Sequence, residues 1–216
     1  MNFSVNEFDD ASLVSFDSSL ARDERHDIHC LLAQADAFSS RAFDRDVLWK
    51  SWLDRYRNRL VKHGCEERQL LSLEPVVVNS LEAFNQQLAL TLANPTVGGL
   101  VEKGLLSREV LEKREFAERF FAKGSADGRS NTFLVTPCGK NDQGEIILLV
   151  YVLHLSAGVD SREAGGYGPD IRRELVLWRT GNVYRFDRAV YAGYRQEIRQ
   201  SLSESSLRHI DRHVAG

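Results

Sequence analysis

The sequence predicts an α+β fold: an N-terminal helical region, a four-stranded antiparallel β-meander, and a C-terminal helix packed on the sheet. Three observations lead there. From about Ala21 to Lys123 apolar residues recur at helical spacing. After the polar run 124–131 the period becomes strand-like. Glu145 to Leu155 is β-branched and almost continuously apolar, the composition of an inner strand covered on both faces. Strands gathered behind helices indicate α+β, not alternating α/β.

Each element has a local reason. Residues 1–20 are acidic and serine-rich, carry Phe3, Phe8 and Phe16 without a clean period, and read as an N-terminal arm. In 22–38, Ile28, Leu31, Leu32, Ala35 and Phe38 share one helix face. Asp44 is a candidate N-cap for a helix over 45–63 with Leu48, Trp49, Trp52, Leu53, Tyr56 and Leu60 as its stripe, and Gly64 stands where a terminating glycine belongs. Pro75 suits a first helical turn, followed by Val77, Leu81, Phe84, Leu88 and Leu92, with Asn94-Pro95 as the stop. Ser107 is positioned to cap a helix over 108–123, with Leu106 and Leu111 as a hydrophobic staple.

The strand half begins with Thr132 to Thr136, turns through 137–144, and continues as Glu145 to Leu155. Arg172 to Arg179 and Val183 to Phe186 read as two more strands, joined by Thr180-Gly181-Asn182 as a hairpin turn. Asp187 then caps a final helix whose face holds Val190, Tyr191, Tyr194, Ile198 and Leu202. The N-terminal helices are expected on one face of the sheet and this last helix on the other. Residues 21–216 form one α+β domain on this reading, with 21–123 helical and 131–216 the sheet plus C-terminal helix.

Composition narrows the function classes. The 216 residues are 43% apolar and 27% charged with a net charge of −3, which suits a chain able to bury a core and offers no overall cationic surface for nucleic acid. The longest apolar run, Ile146 to Leu153, is far short of the about twenty residues that span a bilayer as a helix. The first ten residues lack the basic and apolar regions of a secretory signal, and three cysteines suit reduced thiols. A cytoplasmic location is expected, with signal-independent export left open. Arginine outnumbers lysine 22 to 6, a bias that points to a GC-rich, bacterial genome.

Several residue groups carry possible chemistry. His26, His29 and Cys30 lie on one helical segment, and His63 and Cys65 near the end of the next. Imidazole and thiolate suit zinc, so His26, Cys30, His63 and Cys65 are metal candidates, but their spacing matches no zinc module and no cofactor is expected. His209 and His213 stand at i, i+4 close to the C-terminal residue and lack the glutamate of a zinc hydrolase, so they read as a polar helix end. Cys138 reads as lying at a strand end beside Lys140 and is the candidate nucleophile or acylation site. His154 reads as a hydrogen-bonded sheet histidine; a hairpin closing at 139–144 pairs position 138 with 145–147 instead. Lys50, Arg55, Arg57, Arg59 and Lys62 on the 45–63 helix form a solvated face more readily than a nucleic-acid surface, while its aromatic stripe leaves membrane association open.

The loop 156–170 is longer than a meander needs, and Gly165, Gly166, Tyr167 and Asp170 are its candidate partner-binding residues. No acid–base–nucleophile constellation is visible. The reading is therefore a non-enzymatic bacterial protein that binds another protein, as an accessory, immunity or effector-type factor. The alternative is a cysteine-dependent enzyme or acylated, lipid-associated protein using Cys138.

Overall fold

The computed structural model describes residues 12–92, 118, 120–121, 130–157 and 175–203. Their order is β1 (Ser12–Phe16), α1 (Arg22–Ser40), α2 (Trp49–Lys62), β2 (Cys65–Val78), α3 (Leu81–Leu92), β3 (Asn131–Lys140), β4 (Ile146–Ala157), β5 (Leu175–Phe186) and α4 (Arg188–Ala192). A further helix, α5, covers 195–203. The five strands form one mixed sheet in the order β1-β3-β4-β5-β2. β3, β4 and β5 make the expected antiparallel meander, β1 joins β3 in parallel, and β2 joins β5 antiparallel.

The sheet thus differs from a four-stranded meander in three places. Ser12–Phe16, inside the segment read as an arm, is an edge strand whose Leu13 and Ser15 are buried. Cys65–Val78 is a strand, and the helix read from Pro75 begins only at Leu81. Pro75 lies within a break in the β2–β5 register between Leu73 and Val76, on an edge strand, where the missing N–H breaks no ladder. The residues read as two strands and a hairpin turn form one continuous β5. Gly181 serves close approach here: a Cβ would lie 2.8 Å from Tyr151 Cδ2 and 2.8 Å from the Val150 carbonyl oxygen on β4.

β4 is the inner strand its composition demands, paired on both sides and covered on both faces. Leu148, Val150 and Val152 face a layer built by α1, α2, α4 and α5, with Ile28, Leu31, Trp52, Tyr56, Tyr191 and Ile198 at its centre. Leu149, Tyr151, Leu153 and Leu155 face the opposite layer, where Phe84 of α3 packs with Phe120 and Phe133. The C-terminal helices therefore share a face with α1 and α2, and α3 covers the other.

Two contacts explain that placement. Asp27 of α1 is buried and accepts hydrogen bonds from Arg188 at 2.9 Å and Arg195 at 2.7 Å, tying α4 and α5 to α1. Gly64, at φ +102°, lets the chain pass so close to Asp187 that a Cβ would lie 2.8 Å from the Asp187 carbonyl, whose own N–H donates to Gly64 O at 2.8 Å. Asp187 caps α4 as read, its Oδ1 accepting from Ala189 and Val190 N–H. Asp44 takes a different part. Its Oδ1 accepts from the Asp46 and Val47 N–H groups in a turn, and α2 begins five residues later, at Trp49.

Among the described residues no helix is long and apolar enough to cross a membrane.

Candidate binding cleft

Helix α2 turns two stripes in different directions. Trp52, Leu53, Tyr56 and Leu60 go into the core, and Lys50, Asp54 and Arg57, at i, i+4 and i+7, run along the flank facing β5 and β2. Strand alternation brings Trp178 and Thr180 of β5 up on the same side, since Leu175 and Leu177 point into the opposite layer. Ser72 of β2, paired with Thr180, and the irregular Leu73–Pro75 stretch form the outer wall. Between these walls lies a cleft of about 370 Å³.

The floor is polar. Thr180 Oγ1 donates to the Leu71 carbonyl at 3.1 Å and accepts from Arg57 Nη2 at 3.3 Å. Arg179 Nη2 donates to the Glu74 carbonyl at 3.3 Å, across the register break in β2. Arg57 Nε is buried without an acceptor, and no carboxylate of the described residues pairs with this guanidinium.

The inner wall is aromatic. Lys50 Nζ lies 4.4 Å from the Trp178 ring centroid and 5.5 Å from that of Trp49, a cation held on two indole faces. Trp49 is 5.9 Å from Trp178 and stacks on His154 at 4.8 Å. His154 is buried, and burial, with the Lys50 charge adding to it, pushes its pKa down to about 4. Its Nδ1 is 2.7 Å from Thr132 Oγ1. That hydroxyl gives its one proton to the Arg45 carbonyl, so it accepts from Nδ1–H and fixes the tautomer. His154 is thus a neutral hydrogen-bonded sheet histidine that backs Trp49.

The sequence candidates lie elsewhere. Cys138 is on β3, paired with Leu148 and buried in the α1–α2 layer, its Sγ donating to the Thr136 carbonyl at 3.4 Å. Burial raises its pKa well above the usual thiol range. Cys65 is buried in the same layer and shifted upward by the same cause. Cys30 is also raised, chiefly by burial, and its Sγ lies 3.7 Å from His26 Nε2. His63 is fully buried with both ring nitrogens unpartnered, beside Tyr194 at 4.9 Å. Burial, reinforced by Arg59, lowers its pKa to about 4. Among the described residues no three His, Cys, Asp or Glu side chains gather as a ligand set, so His26, Cys30, His63 and Cys65 are not brought together. Gly165, Gly166, Tyr167 and Asp170 lie outside the described residues, as do His209, His213 and most of 108–123.

Sequence reading missed the cleft because it is made by tertiary contact. Arg57 is legible as part of a charged face and Trp178 as part of a meander strand, but nothing local brings Trp178 to α2. The one local signal was Lys50 beside Trp49 on α2.

No known family matches this chain, and no curated protein matches it. Among solved structures it is similar to a delta-endotoxin, at 14% identity over 86% of this chain and 86% of that one, with a TM-score of 0.43. It is also similar to the Evf virulence factor, at 11% identity over 90% of this chain and 77% of that one, with a TM-score of 0.43.

Proposed function

We propose that the protein works by binding another protein, as an accessory, immunity or effector-type factor, and that the α2–β5–β2 cleft is its recognition surface. The observation that carries this reading is one open cleft that holds Lys50 over two tryptophans and Arg57 on Thr180, with no carboxylate of the described residues bonded to either cation. Tryptophan and arginine are the side chains that most often dominate binding energy at protein interfaces. The groups suited to covalent or acid–base chemistry sit differently. The thiols of Cys30, Cys65 and Cys138 and the imidazoles of His63 and His154 are buried or backed by other side chains, and their pKa values are displaced away from reactivity at neutral pH. This disfavours the alternative of a nucleophilic or acylated Cys138.

The test is site-specific photo-crosslinking in the producing cell. A benzophenone amino acid at Ser72, exposed on the cleft wall, is expected to give a discrete adduct. The same group at Leu90, exposed on α3 across the sheet, is expected to give none. Identical adducts from both positions, or none from Ser72, would sink the reading.

A further inference from the structure

The cleft also specifies the chemistry of what it binds. Elsewhere in the described molecule, several partly buried arginines meet acids, Arg45 with Asp36, Arg59 with Glu197, and Arg188 and Arg195 with Asp27, while Arg25 and Arg55 donate to backbone carbonyls. Arg57 has one 3.3 Å bond to a hydroxyl and a desolvated Nε, although a guanidinium carries five donors. A buried donor left unmade costs about 1–3 kcal/mol, more when charged, so an acceptor arriving at this group has an advantage that ordinary surface arginines do not offer. Lys50 supplies a second cation on the same flank, held over tryptophan rings and not over a carboxylate. Asp54 and Glu74 stand at the rim, and neither bonds to Lys50 or Arg57, so both cations remain open to an incoming carboxylate.

Spacing narrows the ligand. Positions 50 and 57 are seven residues apart, about 10 Å along the helix axis. In a polyproline II segment, side chains three residues apart point the same way about 9 Å apart. Resting on the reading of the cleft as a protein-binding surface, we propose that its occupant is an acidic, extended peptide segment of the partner. One carboxylate pairs with Arg57 above Thr180 and another, three residues along, draws Lys50 from the face of Trp178.

The three tryptophans of the chain report on this directly. Trp49 and Trp178 line the cleft, whereas Trp52 is buried with its Nε1–H donated to Ser40 Oγ at 2.9 Å and serves as an internal control. The experiment follows the three indole N–H signals by NMR while the full chain is titrated with the blocked peptide Glu-Pro-Pro-Glu. The Trp49 and Trp178 signals are expected to move saturably and Trp52 to stay. The Gln-Pro-Pro-Gln peptide is expected to bind at least about tenfold more weakly, as is the acidic peptide to Arg57→Gln, since hydrogen bonds to charged groups contribute about 1.5–3 kcal/mol. Lys50→Gln, at an exposed position, gives the same direction if Arg57→Gln fails to fold. Asp54→Asn, which removes a repelling carboxylate, is expected to tighten binding.

No movement, equal movement of Trp52, or equal binding of the neutral peptide overturns the proposal. Succinate or inorganic phosphate saturating at the same concentration overturns it too, by reducing the cleft to a general anion site. If the peptide fails while the Ser72 adduct persists, this inference falls alone. If the adduct is also absent, the protein-binding reading falls with it.

Discussion

Acidification between neutral pH and pH 5 should destabilise the fold through two buried histidines. His63 and His154 are both held near 4 against an ordinary 6.5, burial being the main cause in each. The sign follows from proton uptake. Below 6.5 the unfolded chain binds protons that the folded chain refuses, so stability is complete above that value and declines as pH falls toward 4. At 1.36 kcal/mol per pH unit, the loss at pH 5 is about 2 kcal/mol for each histidine. Together they remove about 4 kcal/mol, a large part of the roughly 5–15 kcal/mol of a typical domain. Urea unfolding followed by tryptophan fluorescence at several pH values measures this. His63→Leu is the decisive variant, because its ring nitrogens have no partners to lose. Its stability should decline about half as steeply as the wild type over this range. A flat wild-type profile, or an undiminished slope in His63→Leu, would refute the reasoning.

Three further outcomes are expected. Asp27→Asn should cost about 2–3 kcal/mol at neutral pH by weakening charge-assisted bonds to Arg188 and Arg195, measured by chemical unfolding. Burial raises the Asp27 carboxyl, but the Arg195 and Arg188 hydrogen bonds outweigh it, so its pKa is lowered and this deficit should shrink only as pH falls below about 3.8. Val150→Asp should leave no cooperative unfolding transition, since β4 is covered on both faces and an unpaired buried charge costs several kcal/mol. Gly181→Val should also be severely destabilising because its Cβ meets Tyr151 and the Val150 carbonyl at 2.8 Å, and thermal denaturation will register it.

Much of the sheet's interior was legible, because β4 carries its own evidence: a β-branched apolar run has no other stable place. Edges were not. β2 reads Glu66-Glu67-Arg68-Gln69 before any apolar pair, since neither face is fully covered there and an edge strand tolerates charge. Pro75 signals a helix start and a strand irregularity equally well, and only pairing with β5 decides between them. Gly181 likewise carries one local message, freedom, and two uses. A turn was the nearer guess; contact with a tyrosine on the adjacent strand was the fact. β1 is five residues with two serines, below the length at which alternation speaks. The buried faces Ile28, Leu31, Leu32, Ala35 and Trp52, Leu53, Tyr56, Leu60 follow from residues within a few turns, whereas Leu48, read onto the second stripe, is exposed ahead of α2, and Phe38 lies half-buried under Arg55 and Arg59. The cleft depends on residues 49–57, 72–75 and 178–180 meeting, and no local pattern connects them.

The central claim is that recognition runs through the cations of the cleft. The most direct measurement is calorimetric titration of the partner captured at Ser72 against wild-type protein and the Lys50→Glu, Arg57→Glu double variant. Reversing two interfacial charges should weaken binding at least about a hundredfold, near 2.7 kcal/mol, measured at a temperature where circular dichroism shows the double variant folded. An unchanged dissociation constant in a folded double variant would contradict the account.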